Sequence, residues 1–160
     1  MNSGTRRQTG FSLIKLLTVI AAILIILSLV AQPTSRRAKL YATEMVALKT
    51  ITTIHTAQPR YFSQYGKFAG TLTELGPPAS GEASASAADL LPASLAQTGE
   101  SSGYRYILIL TANGYTVNAN PTMLGGTGSH TFFSDQTMRI HQHAGPEPAT
   151  AADPELNQRE

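Results

Sequence analysis

The side chains able to do chemistry are few, and their spacing decides how much they can do. His141 and His143 stand two residues apart, so on an extended chain both rings lie on one face and can act as a pair of metal ligands. A metal site needs a third protein ligand, and the sequence offers none at a matching spacing. The run Leu124-Gly-Gly-Thr-Gly-Ser129 is glycine-rich, but it lacks the lysine and the following helix of a phosphate-binding loop. Serine, aspartate and histidine all occur without a spacing that ties them into a nucleophile arrangement. No enzyme signature and no cofactor motif emerges. One charge is in an unusual place: Lys15 lies inside the stretch GFSLIKLLTVIAAILIILSLVA, Gly10 to Ala31.

That stretch dominates the composition. The chain has 160 residues, of which 42% are hydrophobic and 14% charged, and no cysteine, which excludes disulfides and thiol chemistry. Twelve basic against ten acidic residues leave a formal charge of +2. Without Arg6 and Arg7 ten basic residues face ten acidic ones, so there is no global pull towards nucleic acid. Phe11–Ala31 is 21 residues with a single charge. As a helix rising about 1.5 Å per residue it reaches roughly 30 Å, the thickness of a bilayer core. It is longer than the apolar centre of a signal peptide, and Leu29-Val30-Ala31 is a poor small-x-small cleavage site. The expectation is a retained transmembrane segment over residues 11–31. Arg6 and Arg7 on one side and Arg36, Arg37 and Lys39 on the other leave its orientation undecided by charge.

Gly10-Phe11-Ser12-Leu13-Ile14, then a lysine, Leu16-Leu17 and a long apolar run, resembles the N-terminus of type IV pilins and type II secretion pseudopilins. In that family a membrane peptidase cuts a short basic leader after its glycine and methylates the new N-terminus. The resemblance implies a leader over residues 1–10, cleavage between Gly10 and Phe11, and N-methylation of Phe11. It also implies a leader that stays cytoplasmic and an exported C-terminal head. The bacterial inner membrane holds the subunit before it enters a pilus or periplasmic pseudopilus. Other pilin or pseudopilin subunits, the prepilin peptidase and an inner-membrane assembly platform with its ATPase are the implied partners. Lys15 departs from the family, which carries glutamate there to neutralise the N-terminal amine of a neighbour. A buried amine without a counter-charge costs several kcal/mol, and a lysine adds a second cation. Three readings stand open: a minor subunit placed where no amine needs neutralising, as in the one pseudopilin class that also lacks the glutamate; a carboxylate supplied by a partner; or poor assembly. Pro33, at which a helix kink is expected, stands one residue later than the proline common in the family. Glu44 follows at the family's distance from the proline, with a local ion pair to Lys39 or Arg37 as the simplest role.

The remainder must build the head, residues 32–143. Met45, Leu48, Ile51, Ile54, Tyr61 and Tyr65 recur at helical steps, which predicts an amphipathic helix over 34–65 with a bend near His55 caused by Pro59 and a stop at Gly66. Residues 69–103, rich in Ala, Ser, Gly and Pro, predict a long loop with one short helix near Asp89–Gln97. Strands are expected at Tyr104–Ala112, Tyr115–Asn120 and Thr131–His141, with a hairpin turn at Asn113-Gly114 and a turn or bulge at Asp135-Gln136. Residues 144–160 carry no apolar period and are expected to be disordered. The fold class is therefore α+β: a long N-terminal helix, transmembrane then amphipathic, packed on an antiparallel sheet of about three strands. The function implied is a non-enzymatic structural subunit, minor rather than major. The competing readings are a signal-anchored periplasmic binding domain that never polymerises and a soluble protein released by signal-peptide cleavage.

Overall fold

The computed structural model describes residues 13–156, and of the side chains those of 14–26 and 36–156. Gly10, Phe11 and the 1–10 leader lie outside the described residues, as does the side chain of Pro33. One helix, α1, runs over Leu13–Tyr65. The chain divides into two compact units at Arg37 and Ala38.

In the first unit, the described side chains from Ile14 to Ile26 are all exposed, the isoleucines, leucines and valine included. Among the described residues no helix is long and apolar enough to cross a membrane, so the transmembrane character expected of this segment is not borne out. The expected span, Phe11–Ala31, runs past the described side chains at both ends, so the described stretch Ile14–Ile26 is only a part of it.

The second unit, Ala38 to the C-terminus, is a helix laid on a sheet. The C-terminal part of α1 contributes Ala47, Leu48, Ile51, Ile54, Ala57 and Tyr61 to a single apolar cluster. The expected stripe is buried at Leu48, Ile51, Ile54 and Tyr61, but Met45 is exposed, and Glu44, His55 and Gln58 are buried as well. The helix continues through Pro59, and Gly66, with φ 72°, ends it by donating its amide to the Phe62 carbonyl (2.8 Å).

The expected loop 69–103 is more structured than its composition suggests. Helix α2, Leu72–Leu75, is nucleated by a capping box in which Thr71 and Glu74 bond each other's backbone, and it buries Leu72 and Leu75. Helix α3, Ala93–Thr98, ends at Gly99. Gln58 on α1 clamps the intervening chain, donating Nε2–H to the Ala69 carbonyl (2.9 Å) and accepting the Ala69 amide (3.0 Å).

The sheet has five antiparallel strands rather than about three, in sequential order: β1 Glu100–Ser101, β2 Tyr104–Thr111, β3 Gly114–Pro121, β4 His130–Asp135 and β5 Ile140–Ala144. Two turns account for the difference. Ser102 and Gly103 both take positive φ (50° and 78°), as a type I′ turn requires, and this pairs the two-residue β1 with β2. The expected third strand is broken where Asp135 Oδ1 accepts the amide (2.8 Å) and hydroxyl (2.6 Å) of Thr137 and Met138 N–H donates to the Asp135 carbonyl (2.9 Å). The second half of it returns as β5. The hairpin expected at Asn113-Gly114 is present one residue earlier: Ala112 and Asn113 form the loop, and Gly114 already pairs with Thr111. On the helix-facing side alternate residues Tyr104, Tyr106 and Leu108 of β2, Tyr115, Val117 and Ala119 of β3, and Phe132 of β4 are buried.

The tail expected to be disordered is ordered as far as Leu156. After β5 the chain crosses the far face of the sheet, where the Glu147 carbonyl accepts the Thr131 hydroxyl (2.7 Å) and the Ala149 carbonyl accepts the Asn118 side-chain amide (2.9 Å). It then turns and pairs with the free edge of β5, the Gln142 amide donating to Pro154 O (3.0 Å) and the Leu156 amide to Ile140 O (2.7 Å). An edge strand left bare exposes unpaired backbone groups, and this strap covers one. Hydrogen bonds to backbone and side chains of distant strands hold it, with only Ala149 buried and Leu156 packed on the core, and no local apolar period marks such a segment.

Candidate functional site

Lys15 is exposed on α1, its carbonyl accepting the Thr18 hydroxyl (2.9 Å). The other polar residues that the sequence singled out lie in the second unit, where three buried or half-buried ties join distant parts of the chain.

The first is centred on Glu44. A single carboxylate oxygen, Oε1, accepts the Ser129 amide (2.7 Å), the Ser129 hydroxyl (2.7 Å) and His130 Nδ1 (3.2 Å). The partner is thus the end of the glycine-rich loop, 85 residues away, and not Lys39 or Arg37. Burial works to raise the carboxyl's pKa, but the bonds from Ser129 and His130 outweigh it and hold the group below the usual glutamate value. The glycine-rich loop needs its glycines for approach: a Cβ at Gly128 would overlap the Tyr104 ring and hydroxyl. That hydroxyl donates to the His130 carbonyl (2.9 Å).

The second tie is in the core. His55 is buried, with Nδ1 2.7 Å from the Tyr115 hydroxyl and Nε2 2.7 Å from Ser134 Oγ. Ser134 Oγ in turn donates to the Arg139 carbonyl (2.7 Å). Burial depresses the His55 pKa, countered in part by the charge of Asp135. The Tyr115 hydroxyl is pushed up to about 12 by burial and by the same aspartate. A cleft of about 570 Å³, lined by Thr52, His55, Pro59, Arg60, Met138 and Ile140 among others, opens beside the ring.

The third tie uses the two histidines that a metal would have required. His141 Nδ1 donates to the Asp153 carbonyl (2.7 Å) and His143 Nδ1 bonds Asp153 Oδ1 (2.9 Å), so both pin the strap. The bond from His143, with those from the Thr150 amide and hydroxyl, lowers the Asp153 pKa. Among the described residues no group of three or more potential ligands converges on a metal position.

Comparison with protein-family models, with curated proteins and with solved structures finds no match. The site must therefore be read from its own residues.

The geometry assigns these polar residues to holding the head together. Sequence reasoning noted Glu44, His141 and His143 but not their partners, and it passed over His55, Tyr115, Ser134 and Asp153. For His55 a signal was present. Leu48, Ile51, His55 and Gln58 follow steps of three and four, which places the imidazole on the buried stripe. No comparable pattern marks Ser134 or Asp153, whose roles arise only once the turns at Asp135 and Thr150 are formed.

Proposed function

We propose that this chain is a prepilin-type structural subunit of a type IV pilus or type II secretion pseudopilus, a minor component without enzymatic activity. The observation that carries the proposal is the junction Gly10-Phe11 at the head of a long apolar run, after a ten-residue leader with Arg6 and Arg7. Two features of the fold support it. The apolar side chains described between Ile14 and Ile26 are exposed around the helix, and a helix that is apolar on all sides needs lipid or other helices to cover it. The second unit, a helix packed on an antiparallel sheet, has the α+β arrangement expected of a pilin head.

In this reading the prepilin peptidase cuts after Gly10 and methylates Phe11. The apolar rod is first covered by the inner membrane and later by the rods of neighbouring subunits. The exchange is nearly neutral, because lipid tails and helix flanks are similarly apolar. An assembly platform and its ATPase supply the work. Lys15 sits near the start of the rod, where its stem can carry the ammonium to the headgroups.

Mass analysis of the N-terminus in a host carrying a prepilin peptidase tests the reading. A chain beginning at Phe11 and one methyl group heavier is expected. An intact Met1 indicates a non-polymerising anchored domain, for which the cleft beside His55 is the candidate binding surface. A water-soluble chain beginning after Ala31 overturns the filament reading.

A further inference from the structure

The hydrogen bonds around His55 fix which of its nitrogens carries the proton. The Arg139 carbonyl can only accept, so Ser134 spends its hydroxyl proton on that carbonyl at 2.7 Å. Ser134 Oγ must then accept from His55, which makes Nε2 the protonated nitrogen. Nδ1 is left with its lone pair and accepts the hydroxyl proton of Tyr115. Each donor in the chain Tyr115–His55–Ser134–Arg139 thus has one acceptor, and the chain ties α1 to β3, β4 and the β4–β5 turn. A second proton on the ring breaks this order. Nδ1–H would meet the Tyr115 O–H head on, and that hydroxyl would have to turn away from the ring.

We propose that His55 is an acid-released latch, which ties α1 to β3 and to the β4–β5 turn while neutral; a proton taken up through the cleft costs it the Tyr115 bond, and the turn beside the cleft opens to let the charged ring reach water. The geometry favours this place for the release. The cleft reaches the ring, and Met138 and Ile140 also line it. Met138 is exposed and held at φ 64°, a left-handed conformation unfavourable for a residue with a side chain. The turn that holds it there is tied to the helix through Ser134 and the Arg139 carbonyl. Among the described residues the charged and titratable groups around the ring are Tyr115 on β3, Asp135 on β4 and Arg60 on α1 itself. Both ring nitrogens are taken by Tyr115 and Ser134, and Oδ1 of Asp135 accepts from Thr137.

The sign follows from linkage. The closed ring has a pKa below that of a free histidine, so the open state binds the proton more tightly. Opening therefore becomes about tenfold more favourable for each pH unit below about 6.5, until the closed-state pKa is reached.

The test is nitrogen and amide NMR on the full chain in detergent micelles. At neutral pH the His55 ring should show a protonated Nε2 and an unprotonated Nδ1. From pH 7 to 4.5 amide exchange over Ser134–Ile140, corrected for its intrinsic rate, should accelerate relative to β2, with a ceiling of about tenfold for each pH unit that separates the free and closed-state values. In His55→Gln this acid dependence should vanish. A protonated Nδ1 at neutral pH overturns the proposal. So does exchange over 134–140 that acid leaves unchanged, or that acid changes equally in His55→Gln. The tautomer measurement needs no variant, so the proposal can still fail if His55→Gln does not fold.

Discussion

A carboxylate buried on a helix is worth what its partners make it worth. Glu44 gathers three donors on one oxygen, all from Ser129 and His130. Glu44→Gln keeps the shape but loses the charge that strengthens those bonds. It should destabilise the head by about 1–3 kcal/mol in urea unfolding at pH 7. Because the folded pKa is depressed, the wild-type advantage is fully present above the unfolded value of 4.5 and lost as pH falls through the folded value. The two unfolding midpoints should therefore converge in acid; a gap that persists unchanged at pH 3 would mean that charge is not what Glu44 contributes. Gly128 makes a separate test of close approach. In Gly128→Ala the new methyl meets the Tyr104 ring, and overpacking of this kind costs about 1–3 kcal/mol. The thermal midpoint should drop, and Gly125→Ala, whose Cβ would meet nothing, should not reproduce the loss through crowding, leaving only the strain of its positive φ.

At the level of elements, the C-terminal strap is the least expected part of the fold and the easiest to remove. Ending the chain after Ala144 leaves the Thr131 hydroxyl, the Asn118 amide and the outer edge of β5 without the partners they have in the intact head. The loss should be about 2–4 kcal/mol, counted as roughly 1 kcal/mol for each bond. It should come with concentration-dependent association, since an uncovered edge invites another strand. Denaturant titration with light scattering measures both, and a monomeric truncation of unchanged midpoint would show the strap to be ornamental. The turn signals teach a related lesson. Asn113-Gly114 is the strongest hairpin dipeptide in the sequence, yet the turn with paired positive φ is Ser102-Gly103. A dipeptide states a preference, and the register of Tyr104 with Pro121 and Ile107 with Asn118, which keeps the tyrosines inward, decides whether it is used.

On the scale of the whole molecule, the two units differ in what they need. Residues from Ala38 onward contain their own core, so a fragment beginning there should unfold cooperatively with a midpoint close to that of the full chain in detergent. Scanning calorimetry of the two would show it, and an unfolded fragment would mean that the first unit supports the second. In the first unit the described side chains from Ile14 to Ile26 are all exposed, and the apolar ones need a cover. In the filament reading, Lys15→Glu should raise incorporation into filaments of glutamate-bearing subunits, because it places a carboxylate beside a neighbour's amine. Equal recovery of both forms in sheared filaments would count against that account of position 15.

The parts legible without a structure were those written in local pattern. Three- and four-residue steps marked the helix, a glycine marked its end, and richness in aromatic and β-branched residues marked β2. These signals are local because they reflect backbone periods that every residue in an element shares. The sequence by itself also determined the apolar rod and the Gly10-Phe11 junction, which rest on composition and order alone. Tertiary structure alone decided the partners: that Glu44 meets Ser129, that His55 joins Tyr115 to Ser134, and that His141 and His143 hold a strap instead of a metal. A hydrogen bond between residues tens of positions apart depends on where turns reverse the chain, and side chains such as Ser134 or Asp153 carry no mark of the neighbour that the reversal will bring.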